Sequence, residues 1–291
     1  MKKATRIITL AISFTFLSAL CACGQSPETK TENRVTHSEF YYSEADYSAA
    51  DEYLRANGYP ESFIANTGNQ TKTALKTAGA VYNASASRED AYNESTYSDR
   101  WNGFSYSITV SDASDKEDNV SKKYLTLNWA WNAERSSPND IAIIEHDPLF
   151  AVSLSETILE ISGTGQLQES VIPPDSQAAS LPETQAGTFV FLQGENISVS
   201  TAPESGVEVQ IPQVGGCMLN KYFAPSPADS SMPYGTYLLN EDQYRGSFTI
   251  AVTCHDKSGD LSAAAACFKI PYEHGFLTSN DISCNFNLFL K

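Results

Sequence analysis

Apolar and polar residues that alternate at every second position constrain the fold of this 291-residue chain more than any other feature. From Trp101 onward the period is two, which is the period of strands with one buried face. Strand candidates with this pattern or a short apolar run are residues 104–110, 125–131, 141–145, 150–154, 157–161, 188–192, 197–200, 207–211, 236–239, 247–254, 261–270 and 282–290. The pattern predicts a mainly β fold of antiparallel, β-sandwich-like units.

Three short helices are predicted before these strands, at residues 48–57, 60–67 and 71–78. Each ends just before a glycine, and Pro60 opens the second, which is the usual punctuation of helices. None reaches the ~12 residues that a helix needs to persist alone in water. We therefore expect the three helices to pack against the rest of the fold.

Composition shifts indicate a division of the chain. Residues 39–100 hold the short helices, and residues 101–162 form a first β unit. Residues 163–186 are rich in Gly, Pro, Ser and Gln, which is typical of a linker or a long loop. Residues 187–291 form a second β unit. A single continuous sandwich is the alternative.

The first 22 residues are typical of an export signal. Lys2, Lys3 and Arg6 precede an apolar run at residues 7–19. That run is shorter than the about 20 residues of a membrane-spanning helix, and small residues follow it. We expect this segment to be removed.

The residues at the cleavage point, Leu20-Cys21-Ala22-Cys23-Gly24, resemble the lipobox of bacterial lipoproteins. Cys21 lies at the loosely restricted position, where a small residue is usual. The resemblance implies that Cys23 receives a diacylglycerol and becomes the N-terminus, so that fatty acyl chains such as palmitate hold the protein on the extracytoplasmic side of the cell membrane. An ordinary signal peptide with incidental cysteines is the alternative.

Lipid on Cys23 has a physical consequence for the residues after it. Two acyl chains suffice for lasting attachment, since each buried methylene contributes ~0.8 kcal/mol. Residues 23–38 are polar and without apolar periodicity, so we expect a flexible tether.

The charge of the mature chain argues against two classes of partner. Removal of the signal takes away three of the 19 Lys and Arg and none of the 35 Asp and Glu, which leaves a formal charge of −19. Such a surface repels nucleic acid and anionic lipid head groups. The lipid would therefore hold the protein to the membrane.

Four cysteines follow the lipobox: Cys217, Cys254, Cys267 and Cys284. They allow three sets of two disulfides, and an exported protein can keep them. If residues 255–260 close a hairpin that pairs Phe248 with Phe268, Cys267 points away from Cys254. Strand parity then favours a Cys254–Cys284 disulfide, with buried free thiols as the alternative.

Motifs of hydrolases, metalloproteases and nucleotide-binding loops are absent from the sequence. Four acids at residues 112–118, Asp112, Asp115, Glu117 and Asp118, offer oxygen ligands for calcium. Their spacing is not that of an EF-hand, and we favour a solvated acidic hairpin tip over a calcium site. His146, between Glu145 and Asp147, is interpreted as part of a charged turn, with a metal or acid–base role as the alternative. His274 follows a strand and is a candidate for a binding or structural role. No other cofactor is expected.

Trp129 and Trp131 suggest either a sugar-stacking platform or core residues. They share a face with Leu125 and Leu127, and aromatic side chains dominate burial, so we expect them in the core.

Residues 54–79 with Gly58-Tyr59-Pro60-Glu61, then residues 128–131 and 138–141, resemble segments of uncharacterised exported proteins of Gram-positive bacteria. The resemblance brings no activity with it. We expect a non-catalytic module that is anchored to the membrane and binds an unknown ligand or protein outside the cell. The alternative is an extracytoplasmic hydrolase of peptides or glycans that uses carboxylates with His146 or His274.

Overall fold

The computed structural model describes residues 38–39, 47–89, 104–114, 121–131, 140–174, 180–192, 197–202, 206–223, 233–240, 245–254, 261–272, 275–279 and 281–287. The helices are α1 (Tyr47–Ala56), α2 (Glu61–Asn66) and α3 (Asn69–Thr77). The strands are β1 (Ser38–Glu39), β2 (Val81–Glu89), β3 (Phe104–Ser114), β4 (Ser121–Trp131), β5 (Ile141–His146), β6 (Phe150–Val171), β7 (Thr184–Leu192), β8 (Val199–Ala202), β9 (Gly206–Gln210), β10 (Met218–Tyr222), β11 (Tyr234–Leu239), β12 (Arg245–Cys254), β13 (Leu261–Tyr272), β14 (Gly275–Thr278) and β15 (Ile282–Asn287).

Two sheets contain these strands. One has nine strands in the order β1-β10-β11-β6-β12-β4-β3-β2, with β7 also paired to β6. The other has six, in the order β14-β13-β5-β9-β8, with β15 also paired to β13. All pairs are antiparallel except β1 with β10. The predicted mainly β fold, with sandwich-like antiparallel sheets after a region of short helices, is confirmed.

The sandwich core consists of the facing sides of the two sheets. Alternate residues of β3, β4 and β12, such as Phe104, Leu127 and Phe248, lie in one hydrophobic cluster with Ile144 and Phe268 of the six-stranded sheet. This alternation buries one face of each strand and leaves the other face of the nine-stranded sheet for a second layer. We call that second side the outer face.

Strands from the two predicted β units pair with each other. Strand β12 lies between β4 and β6, and β13 pairs with β5, so each sheet draws on both halves of the chain. The predicted linker, residues 163–186, begins inside β6 and ends inside β7. The structure therefore has the single continuous sandwich that the sequence left as the alternative, because one shared core buries both halves.

The three helices pack on the outer face through their own apolar cluster. Leu54, Phe63 and Leu75 contact Tyr124 and Ala251 of the sheet in this cluster. The helices begin and end within two residues of their predicted bounds. Within the described ranges, none of the helices has the length and apolar character needed to cross a bilayer.

Candidate functional site

Several predicted site residues lie outside the described residues: Cys23, Asp115, Glu117, Asp118 and His274. Of the predicted tether, only Ser38 is described, and it begins β1. The roles predicted for Cys23, Asp115, Glu117, Asp118 and His274 stay predictions.

Asp112 is the one predicted calcium ligand that is described. Its carboxylate accepts a short hydrogen bond from the Lys123 ammonium and two from the Asn83 amide, at 3.0 and 2.9 Å. The Lys123 side chain is 0% exposed, so the carboxylate neutralises a cation inside the protein. No group of three or more metal-ligating side chains exists among the residues described.

His146 ends β5 and is buried at 9% exposure. Its Nδ1 lies 3.0 Å from the carbonyl oxygen of Asp147, while Asp147 Oδ2 accepts a 3.3 Å hydrogen bond from Ser262. These side chains belong to the six-stranded sheet, whereas Asp112 belongs to the nine-stranded one. Neither His146 nor Asp112 belongs to a group of three or more metal-ligating side chains among the described residues.

The predicted Cys254–Cys284 disulfide is not formed in this structure, because Cys284 is a free, buried thiol. The hairpin behind that prediction is also absent: β12 pairs with β4 and β6, while β13 lies in the other sheet with β15. Cys267 is free and buried too, as in the alternative interpretation, and Cys217 is also buried. Burial raises the pKa of the Cys267 thiol to about 12 and also raises that of Cys284.

Trp129 and Trp131 are core residues, as predicted, with exposures of 2% and 4%. The Trp129 ring packs edge-on against Phe268 of the opposite sheet, and the Trp131 ring lies 4.2 Å from that of Phe104. Neither ring is available as a platform for sugars.

The outer face of the nine-stranded sheet is polar under the helices. One row of register partners crosses five strands: Ser87, Ser107, Asn128, Ser247 and Glu160. These strands place apolar residues in the sandwich core, and the intervening polar residues therefore face the helices. The helices dock on this row through hydrogen bonds as well as apolar contacts.

Glu160 is the centre of this docking. Its two carboxylate oxygens accept hydrogen bonds from the backbone amides of Gln70 and Thr71, each at 2.9 Å. These amides belong to the first turn of α3, whose N-terminal N–H groups have no partner within the helix. Glu160 thus caps α3 from the sheet, and its negative charge interacts favourably with the positive end of the helix dipole.

Burial raises the pKa of Glu160 above its ordinary value, and the Thr71 and Gln70 amides oppose that rise. The nearby Lys72 ammonium also favours the charged form, but it is engaged with Asp51 of α1 at 2.9 Å. Because both oxygens of Glu160 are used by α3, this carboxylate has a structural role and not that of a general base.

Neighbouring polar contacts hold the connection between α2 and α3 on the sheet. The Gly68 amide donates to Ser247 Oγ at 3.2 Å, and Asn128 Nδ2 donates to Thr67 Oγ1 at 2.9 Å. Deeper under α3, Thr249 Oγ1 donates to Thr126 Oγ1 at 3.1 Å. The α2–α3 connection therefore has a defined position above β4, β12 and β6.

A cleft of about 550 Å³ opens beside this connection. We call it the first cleft. The residues that line it are Ala65, Asn66, Thr67, Gly68, Trp131, Glu160, Ser162, Gly163, Thr164, Ala186, Arg245, Gly246 and Ser247. Its volume is in the range of sites that hold small ligands, roughly 300–1,000 Å³.

The chemistry of the first cleft is that of polar recognition. Hydroxyl and amide groups come from Asn66, Ser162 and Thr164, and the guanidinium of Arg245 is its one cation among the described residues. Its one acid, Glu160, caps α3 with both carboxylate oxygens. The cleft can donate hydrogen bonds to hydroxyl or anionic groups, and it presents no activated nucleophile.

Sequence reasoning missed Glu160 and Arg245. The alternation Leu159-Glu160-Ile161 did place the carboxylate on the face opposite the core. It contained no signal that a helix N-terminus would cover that position. Arg245 precedes the strand predicted at residues 247–254, and only the strand register brings it next to Ser162.

No protein-family model matches the sequence, and no curated protein matches it. The chain is similar in structure to the collagen-binding domain of a Staphylococcus aureus adhesin, at 11% identity over 62% of this chain and 95% of that one, with a TM-score of 0.31. It is similar to Clostridium perfringens delta-toxin, at 8% identity over 71% and 89% of the two chains, with a TM-score of 0.32. A collagen-binding subdomain of the Enterococcus faecalis surface protein ACE has 7% identity over 58% and 88%, with a TM-score of 0.30.

Proposed function

We propose that this chain is a lipid-anchored, non-catalytic binding protein that acts outside the cell and holds a polar ligand in the first cleft. The anchor is the diacylglycerol on Cys23 that the lipobox-like residues imply. The net negative charge supports attachment through lipid, since the chain itself would repel anionic head groups.

The observation that carries the binding role is the composition of the first cleft. It is a concave, polar site in which the single acid is already engaged by helix α3. A hydrolase needs a free carboxylate, histidine or activated hydroxyl near the substrate. His146, the described candidate for that role, belongs to the six-stranded sheet and does not line the cleft.

Arg245 supplies the test of the binding role. It begins β12, its side chain is exposed, and it faces solvent at the cleft. We would screen the full-length chain, in detergent, against arrays of peptides and glycans, beside Arg245→Ala and the matched control Lys76→Ala. Lys76 is an exposed cation on α3 that does not line the cleft.

We expect at least one ligand that the parent and Lys76→Ala bind equally and that Arg245→Ala binds about tenfold more weakly, the effect of losing one charge-assisted hydrogen bond. Turnover of a peptide or glycan that His146→Ala or His274→Ala abolishes would overturn the proposal in favour of the hydrolase.

The anchor has its own test in cells that export the chain. We expect metabolic labelling to place fatty acid on the parent and not on Cys23→Ser, and the variant to leave the membrane fraction. A Cys23→Ser chain that stays with the membrane while the parent carries no fatty acid would remove the anchor from the proposal.

A further inference from the structure

Arg245 is the cation of the first cleft, and the strand register fixes the face on which it lies. It pairs with Ala130 of β4 on one side and with Ser162 of β6 on the other. Two residues along these strands, Asn128 contacts the α2–α3 connection and Glu160 contacts α3. Since every second residue of a strand faces the same way, the row that contains Arg245 lies on the outer face.

No carboxylate of a described residue forms an ion pair with Arg245. Glu160, the one acid of the cleft, uses both oxygens for the Gln70 and Thr71 amides, and Lys72 is the cation that favours its charged form. Arg245 is also exposed, so a ligand can engage its fork of N–H donors. The guanidinium is therefore the group of this cleft that can fix an anion.

Hydroxyl groups lie beside Arg245 on β6. Ser162 Oγ and Thr188 Oγ1 lie 2.7 Å apart, and either can be the donor. This bond uses one of the two O–H groups, so the pair still offers a proton and lone pairs to a ligand. Thr164 lies two residues after Ser162, ~6.8 Å along the strand at ~3.4 Å per residue. One side of the guanidinium is therefore lined by hydroxyl groups.

A smaller cleft of about 210 Å³, the second cleft, adjoins α2 and lacks such an arrangement. Arg88 lines it, but Arg88 pairs with Tyr106, whose ring packs against Phe268 in the sandwich core. The preceding pair, Ser87 with Ser107, faces the helices. Arg88 and these serines therefore lie on opposite faces of the sheet. Of the two clefts, the first is the one with a described cation on the same face as its hydroxyl groups.

Electrostatics favour a ligand with a single negative charge. The first cleft has one cation among its described residues, in a chain with 35 Asp and Glu against 19 Lys and Arg. A dianion or polyanion would bring charges that no cation of the cleft neutralises, and the field of the chain would repel them. A carboxylate carries one charge, and its two oxygens match the planar guanidinium fork.

The remaining lining of the first cleft favours a sugar over a peptide. Peptides bind by adding a strand to a sheet edge or by placing apolar anchors in grooves. The cleft lies over β6 and β12, which have neighbours on both sides. Its apolar lining is limited to Ala65, Ala186 and Trp131, and Trp131 is only 4% exposed. Asn66 and Thr164 offer neutral donors and acceptors that match the hydroxyl groups of a sugar.

We propose that the first cleft binds the terminal residue of an otherwise neutral glycan, and that this residue is a sugar with one carboxylate. The inference rests on the proposed function and names the class of its ligand. Arg245 holds the carboxylate through two parallel N–H···O hydrogen bonds. Ser162 and Thr164 form hydrogen bonds with hydroxyl groups of the same sugar.

The test measures binding of the full-length chain, in detergent, to glycans that end in galacturonate or glucuronate and to matched glycans that end in galactose or glucose. In each pair, a carboxylate replaces a hydroxymethyl group. Arg245→Gln removes the charge of the cleft, and Ser162→Ala removes one hydroxyl. The controls are Lys76→Gln, a cation outside the cleft, and Ser155→Ala, which breaks a hydroxyl pair with Ser153 elsewhere on β6.

We expect at least one uronate-terminated glycan to bind at least about tenfold more tightly than its neutral counterpart, because the guanidinium makes charge-assisted hydrogen bonds. Arg245→Gln should bind the two glycans of that pair alike. Ser162→Ala should weaken binding of the acidic glycan by about threefold, the effect of losing one neutral hydrogen bond. Both controls should bind as the parent does.

Binding that depends on Arg245 but is equal for the acidic and the neutral glycan overturns this inference alone. So does binding confined to peptides, or binding of oligogalacturonate in strong preference to the glycan with one acidic residue. Binding that Arg245→Gln leaves unchanged, or failure to bind any glycan or peptide, overturns the proposed function with it.

Discussion

The carboxylate of Glu160 occupies the space that a side chain on Gly68 would need. Gly68 has φ −67° and ψ 157°, which is extended backbone that any residue adopts. A glycine is therefore required at this position by the close approach of the carboxylate and not by the backbone conformation. The contact joins the middle of β6 to the first turn of α3.

Gly68→Ala is expected to lower the free energy of unfolding by about 2–4 kcal/mol, because the new methyl group displaces the carboxylate from the two amides that it caps. Denaturant unfolding of the single variants and of Gly68→Ala/Glu160→Ala measures the coupling. In the Glu160→Ala background, Gly68→Ala should cost much less. Equal costs in the two backgrounds would show that the two residues do not interact.

Glu160 also predicts a pH dependence of stability. Since burial raises its pKa in the folded state above the ordinary value of 4.5, the folded chain holds this proton more tightly than the unfolded chain does. The stability that arises from this tighter proton binding is therefore fully present below pH 4.5 and is lost as the pH rises through the raised pKa. Glu160→Gln has no carboxyl group at this position, so its stability lacks this pH dependence.

Urea unfolding of the parent and of Glu160→Gln between pH 4 and 8 measures the effect, because the other titrating groups are common to both chains. The stability of the parent relative to Glu160→Gln should fall with rising pH. A relative stability that rises with pH would mean that the α3 amides and Lys72 outweigh burial.

The sequence sufficed for most strands because the apolar alternation of residues such as Phe104 and Leu127 is local information. The short strands β1, β10 and β14 were not predicted. The sequence also sufficed for the helices, whose glycines lie next to their ends. Strand β2 was not predicted, since Val81–Glu89 contains few large apolar residues and is held as an edge by its pairing with β3. The clefts depend on register between distant strands, such as Arg245 with Ser162, which no local pattern encodes.

The ion pair between Asp112 and Lys123 should be one of the more sensitive polar contacts of the fold. Asp112→Ala leaves the Lys123 ammonium buried without its charge partner, and we expect a loss of about 3 kcal/mol. The matched control is Glu156→Ala, which removes the carboxylate that pairs with Lys122, the residue before Lys123 in β4. Both side chains of this pair are more exposed than those of Lys123 and Asp112. Glu156→Ala should cost about 1 kcal/mol or less.

Thermal or denaturant unfolding of both variants measures the difference. Adding Lys123→Met to Asp112→Ala should restore much of the lost stability, because the unpaired charge is then removed. If Asp112→Ala costs no more than Glu156→Ala, the Lys123 ammonium reaches solvent in solution.

The free thiols are expected to be unreactive in the folded chain. At pH 8 an alkylating reagent should not label Cys267 or Cys284, because burial shields both side chains and raises their pKa, that of Cys267 to about 12. Both should be labelled after unfolding, as peptide mass spectrometry would show. A peptide that links Cys254 to Cys284 would instead restore the disulfide predicted from strand parity.

Amide hydrogen exchange of the full-length chain with and without a bound ligand is the most direct test of the central claim, that the first cleft holds the ligand. The account predicts slower exchange on binding at residues 65–68, 162–164 and 245–247, which line the cleft, and no change in β8 or β15 of the six-stranded sheet. Protection confined to the six-stranded sheet, with unchanged exchange around Arg245, would contradict it.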